Sequence, residues 1–250
     1  MTEQQYQAFC EYRDQVKSLC AKWLSDFSQE LRPLQIAAAR KDTPEYPLDT
    51  PVVYNRAYDE ITKDSEIKLI VIGDNPGKEE QLAEKNRYLV GQSGRIAEGF
   101  FRRNEELGID FRKNAIIMNK TPVHTAKTTH LKYLNANGSD RIRNLLLESQ
   151  LSMARLAAQL HQRLETAQLW LVGYSELKGR GVFLNYKDEL LRCYKNDDGS
   201  IKKSWNSVFV FQHFSMNRFL IDLSQHRGEE PLQDSLARIG CGHRKEIFFI

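Results

Sequence analysis

The chain has 250 residues, of which 41% are hydrophobic and 28% charged, with a formal net charge of +3. Those totals suit one large α/β domain with a buried core and are short for two. No apolar run approaches the roughly 20 residues of a membrane span, and the start, MTEQQYQAFC, lacks the basic-then-apolar pattern of a signal peptide. The expectation is a soluble, cytoplasmic monomer. The four cysteines, Cys10, Cys20, Cys193 and Cys241, include no CxxC pair. A zinc or iron–sulfur site therefore has no support, and plain thiols are expected. Charge is unevenly placed. Residues 81 to 145 hold twelve Lys or Arg against six Asp or Glu, whereas the first 66 residues hold eight against twelve. A basic middle suits a phosphate backbone, or is an ordinary solvated surface.

Residues 3 to 32 carry Tyr6, Phe9, Val16, Leu19, Trp23, Phe27 and Leu31 at helical spacing, which predicts a long amphipathic helix ended by Pro33. Pro44, Pro47 and Pro51 mark residues 42 to 55 as an irregular connection. Four short, uninterrupted apolar runs follow at 67–73, 115–119, 169–173 and 207–212, and each reads as a strand covered on both faces. Helices are predicted between and after them. One runs from about Ser93 to Leu107 with Gly108 as its stop, and one from about Ser139 to Leu164. A short one starts near Tyr174, and the last covers Asn217 to Leu223 with a continuation from Pro231 to Ile239. Alternating strands and helices imply a three-layer α/β/α fold with a central, four-stranded, mainly parallel sheet. Ligands of such sheets bind beyond the carboxyl ends of the strands.

The first run leads into Gly73-Asp74-Asn75-Pro76-Gly77, a stiff turn that holds two polar side chains at the sheet's end, or simply a strand-end turn. The loop Arg87 to Arg95 follows. Its glycines, Gly91 among them, let the backbone approach a ligand, while Tyr88 or Leu89 either stacks on a flat ring or fills the core. The second run ends in Asn119, whose amide both donates and accepts and so can read the edge of a pyrimidine. After it comes a basic, hydroxyl-rich loop carrying Lys120, His124, Lys127 and His130, suited to phosphates. At least one of the two histidines is read as a surface group, and two histidines six apart with no third ligand nearby do not make a metal site. The third strand end, Gly173-Tyr174-Ser175, is the least informative. The fourth is Gln212-His213-Phe214-Ser215-Met216-Asn217-Arg218, where a neutral imidazole can donate to a developing anion and the following residues can hold a phosphate.

Three of these pieces, GDNPGKEE with RYLVGQSG, IIMNKTP, and QHFSMNR, together resemble the uracil-DNA glycosylase superfamily, nearest its family 4-like branch, over about residues 65 to 225. The residues before about 60 and after about 233 fall outside the resemblance, as a helical extension and a tail of the single domain. The resemblance implies hydrolysis of the bond between uracil or a related damaged base and its deoxyribose, after the base is flipped from DNA. It places Asp74 or Asn75 on the attacking water and His213 on the departing base. Asn119 reads the base edge, and Gly73, Tyr88, Leu89 and Gly91 line its pocket. Lys120, Lys127, Ser215, Asn217 and Arg218 contact DNA. No metal or organic cofactor is implied. The chain departs from the pattern in three ways: Phe214 stands where most relatives have proline, Leu89 falls at the stacking aromatic's position, and the iron–sulfur cysteines are absent. The alternatives are a nucleic-acid or nucleotide-binding module without excision, and a hydrolase of small nucleosides.

Overall fold

The computed structural model describes residues 1–250. The first strand, β1, is Leu69–Gly73, followed by β2 Ala115–Asn119, β3 Gln168–Val172 and β4 Val208–Phe211. They pair in the order β2-β1-β3-β4, and every pairing is parallel. The sequence expected these strands, with ends one or two residues different. Alternate residues enter two separate cores. Ile70, Ile72, Met118 and Leu171 face one, while Leu69, Val71, Ile117 and Trp170 face the other. Burial on both faces is why each run is continuously apolar instead of alternating.

The helices, in chain order, are α1 Glu3–Ala39, α2 Gln92–Arg103, α3 His130–Asn137, α4 Asp140–Leu164, α5 Leu184–Cys193, α6 Arg218–His226 and α7 Leu232–Phe248. The first core packs α1, α3, α4 and α5 on one face of the sheet, and the second packs α2, α6 and most of α7 on the other. The architecture is the expected three-layer α/β/α fold. Ser139 caps α4 by accepting from the Ile142 N–H. The segment from Ser93 divides into α2 and a 3-10 turn, Glu105–Leu107, which Gly108 ends in the left-handed conformation at φ 62°. None of the helices is long and apolar enough to cross a membrane.

Two expectations are corrected. Pro33 does not end α1, which continues to Ala39. A proline inside a helix costs about 3 kcal/mol or more, but tertiary bonds hold this continuation. Arg32 donates to the carbonyls of Leu48 and Asp49 at 2.5 and 2.6 Å, and Gln35 Nε2 donates to those of Pro51 and His124 at 3.0 and 2.7 Å. The residues after 233 are a helix of the second layer, not a tail. Gly240 lets α7 approach β4 so closely that an added Cβ would sit 2.7 Å from Phe209 Cβ. In addition, α3 and α5 carry too little periodicity to stand out in the sequence and take their shape from packing, α3 on α1 and α4, and α5 on α4. The exposed edge of β2 is closed by Asn55 Nδ2 and the Tyr58 hydroxyl, which donate to the Ile117 carbonyl at 2.9 and 2.8 Å.

Candidate functional site at the strand ends

The parallel sheet places Gly73, Asn119, Gly173 and His213 at one end. Gly73 is in register with Asn119 across β1 and β2. Asp74, the next residue, is buried, and its Oδ1 lies 2.6 Å from Lys120 Nζ. The same ammonium donates to the Gly73 carbonyl at 3.2 Å and the Val172 carbonyl at 2.5 Å. Lys120 therefore ties the ends of the two central strands together from below. Its side chain is fully buried, so it cannot reach a phosphate, which corrects its assignment to DNA. The reason lies in the ammonium itself: taken out of water it must find oxygen partners, and Asp74 with the two strand-end carbonyls supplies them. Burial pushes the Lys120 ammonium below its ordinary pKa, and Asp74 pulls it back. Thr128 Oγ1 reaches Asp74 Oδ2 at 3.4 Å. Gly173 is required here: its φ is +95°, and a Cβ would lie 2.2 Å from Asp74 Oδ1.

Asn119 is buried, and its Nδ2 has no hydrogen-bond partner. Its Oδ1 lies over Gly73, 2.6 Å from where a Cβ would be. Beside it is Glu80, a residue the sequence reading passed over. Burial raises the Glu80 carboxyl to about 7, against the pull of the Gly77 and Leu89 N–H groups, the Asn119 amide and Arg112. The Asn119 amide acts on Glu80 through proximity, since no well-formed hydrogen bond joins the two.

His213 accepts the Ser215 N–H at Nδ1, 3.1 Å away, with Ser215 Oγ also 2.8 Å from that nitrogen. A ring nitrogen that accepts a backbone N–H carries no proton in the neutral ring, so Nε2 holds it and is a donor. Burial depresses the pKa of the ring despite the partly open surface. Asp74 opposes that shift and Lys120 adds to it. After His213 the chain passes through Met216 and Asn217, both left-handed at φ 52° and 55°. Two such non-glycine residues in succession are strained, which is common where a loop meets a ligand. Met216 is 67% exposed, and Asn217 and Arg218 are exposed beside it.

Other expected residues are placed elsewhere. Tyr88 is buried in the second core, with its hydroxyl donating to the Val53 carbonyl at 2.6 Å, so it does not stack on a base. Leu89 is buried in the same core, and its carbonyl accepts from Arg112 Nη2 at 2.6 Å. Both fill the core because the chain turns sharply at Leu89, φ 50°, against Gly94. Asn75 directs its amide away, to Thr125 Oγ1 at 2.9 Å. Gly91 is the N-cap residue of α2. Lys127 is paired with Asp42 at 3.0 Å, and His130, buried, meets the same carboxylate at 2.9 Å. His124 is fully buried instead of at the surface. Its Nδ1 donates to the Pro76 carbonyl, Nε2 accepts from the Tyr46 hydroxyl, and burial pushes its pKa down to about 4.

Compared with models of known protein families and with curated proteins, the chain matches none. What the cluster can do therefore follows from its own atoms: a buried carboxylate, an imidazole N–H and an unsatisfied amide at one sheet end. The larger surface cavities lie away from it, for instance one of about 480 Å³ beside Tyr58 and Arg112 and one of about 540 Å³ beside Ile36 and Tyr46. The role of Lys120 had no local signal, since its partners are distant in sequence, and that of Glu80 rests on a burial that only the folded chain decides.

Proposed function

We propose that the protein is a DNA glycosylase that hydrolyses the N-glycosidic bond of uracil or a related damaged base. The observation that carries this reading is the Asn119 amide, buried and unpartnered at the strand end that also holds Asp74 and His213. An unpaired buried amide costs about 1–3 kcal/mol, and a flat heterocycle with a carbonyl and a ring N–H would satisfy it. The base leaves as an anion, and the His213 Nε2 proton is a donor for its carbonyl oxygen while the ring stays neutral. Asp74 orients the attacking water and offsets the cationic sugar. Exposed Met216, on its strained loop, has the chemistry of a wedge that enters a base step, with Asn217 and Arg218 beside it for the phosphates.

One observation favours the second reading, a binding module without excision. Asp74 is already paired with the Lys120 ammonium, which reduces what the carboxylate can offer a cationic sugar. A base-release screen separates the two, using oligonucleotides that contain uracil, hypoxanthine, xanthine or oxidised pyrimidines. Excision by the wild type that falls about 10²- to 10³-fold in His213→Ala, and is lost in Asp74→Asn, supports the glycosylase. Binding of the lesion with no release from any substrate supports the module.

A further inference from the structure

We infer that the cleft between α3, the first half of α4 and the loop after β3 is a second binding site, for a nucleoside phosphate. Its volume is about 300 Å³, and among its lining residues are Leu131, Lys132, Arg143, Leu147, Gln150 and Arg180. No Asp or Glu lines it. Arg143 is held by Asp140 at 2.6 Å and by the Gly138 carbonyl. Lys132 and Arg180 are exposed and have no acidic neighbour in the cleft, so two cations face it without counter-ions. Leu147, 41% exposed, adds an apolar surface to the lining. Gln150 is only 7% exposed, and its Oε1 has no hydrogen-bond partner.

Each feature asks for a different part of one ligand. The cations ask for a phosphate. The leucine asks for a flat apolar face. The Gln150 oxygen, buried and unsatisfied, asks for an N–H donor. A nucleotide supplies all three and fits a cleft of this size. The position fits a strand as well as a free nucleotide. Lys132 follows the loop that leaves β2 and Arg180 the loop that leaves β3, so both cations come from connections that leave the sheet at the end that holds Asp74 and Asn119. A DNA strand engaged at that end would lay a neighbouring nucleotide here. That extension, unlike the nucleotide site itself, rests on the glycosylase reading.

The test titrates the full chain with deoxycytidine monophosphate, inorganic phosphate and a short lesion-free oligodeoxycytidine, in the wild type, in Lys132→Ala/Arg180→Ala and in Gln150→Leu. The monophosphate is expected to bind more tightly than inorganic phosphate and to weaken about tenfold or more in the double variant. Gln150→Leu should weaken it several-fold without lowering thermal stability, because it removes an unsatisfied oxygen. If the ligand is a strand, the slope of log affinity against log salt for the oligomer becomes shallower by about 1.4 in the double variant, two phosphate contacts at about 0.7 each. An unchanged slope with a lost monophosphate assigns the cleft to free nucleotides. Monophosphate affinity that is the same in the double variant, or no greater than that of phosphate, overturns the inference. Base release from uracil DNA is measured in parallel. Its absence in the wild type sinks the glycosylase reading and leaves the cleft standing, and its presence does not rescue a cleft that ignores the monophosphate.

Discussion

Replacing Glu80 with Gln tests the buried carboxyl beside Asn119. The carboxyl is raised from its ordinary 4.5 to about 7, chiefly by burial. Below about pH 4.5 it is protonated in both the folded and unfolded chains and has no effect on stability. Between 4.5 and 7 the unfolded chain releases its proton while the folded chain keeps it, so the wild type loses stability as pH rises. Above 7 the loss is complete. At about 1.4 kcal/mol per pKa unit the full loss is about 3 kcal/mol. Gln has nearly the same shape, can still accept from the Gly77 N–H, and does not titrate. Urea denaturation of the two proteins at a series of pH values between 4.5 and 8 reads the difference directly. The stabilities should converge at the acid end, and Glu80→Gln should become the more stable by about 3 kcal/mol at pH 8. Stability curves that run parallel through that window would refute a buried, proton-retaining Glu80. The same titration changes the charge next to the Asn119 amide, so ligand binding at the strand ends should weaken or strengthen over the same window in the wild type and not in the variant.

Lys120→Met leaves the Asp74 carboxylate buried and unpaired and should cost about 3–5 kcal/mol in denaturant unfolding. Adding Asp74→Asn should recover part of that loss, and a double variant no more stable than Lys120→Met alone would deny the coupling. Gly173→Ala forces a side chain into the left-handed region and onto Asp74 Oδ1. A loss of at least about 2 kcal/mol is expected, and a melting temperature equal to the wild type would show that the strand end relaxes freely. His213→Ala, whose ring has only local hydrogen bonds to Ser215, should lower the proposed base release about 10²- to 10³-fold while its unfolding free energy stays within about 1 kcal/mol of the wild type.

The sheet was legible in the sequence because its signal is local. Four short runs of continuous apolar residues need cover on both faces, and helical spacing between them leaves a parallel sheet as the economical solution. The cap at Ser139 and the stop at Gly108 were legible for the same reason, since each acts within one turn of backbone. Side chains at the strand ends were different. Nothing local tells Lys120 to turn under the sheet and bind Asp74 and Val172, which are 46 and 52 residues away. Nor does anything local send Tyr88 into the core, bury His124 between Pro76 and Tyr46, or carry α1 through Pro33. Each of these depends on a partner brought near only when the two cores close. The sequence by itself therefore determined the layers and the end of the sheet where polar residues collect. The tertiary structure alone decided which of those residues face one another, because a strand fixes the place of its last residue but leaves the direction of the next side chain to its neighbours.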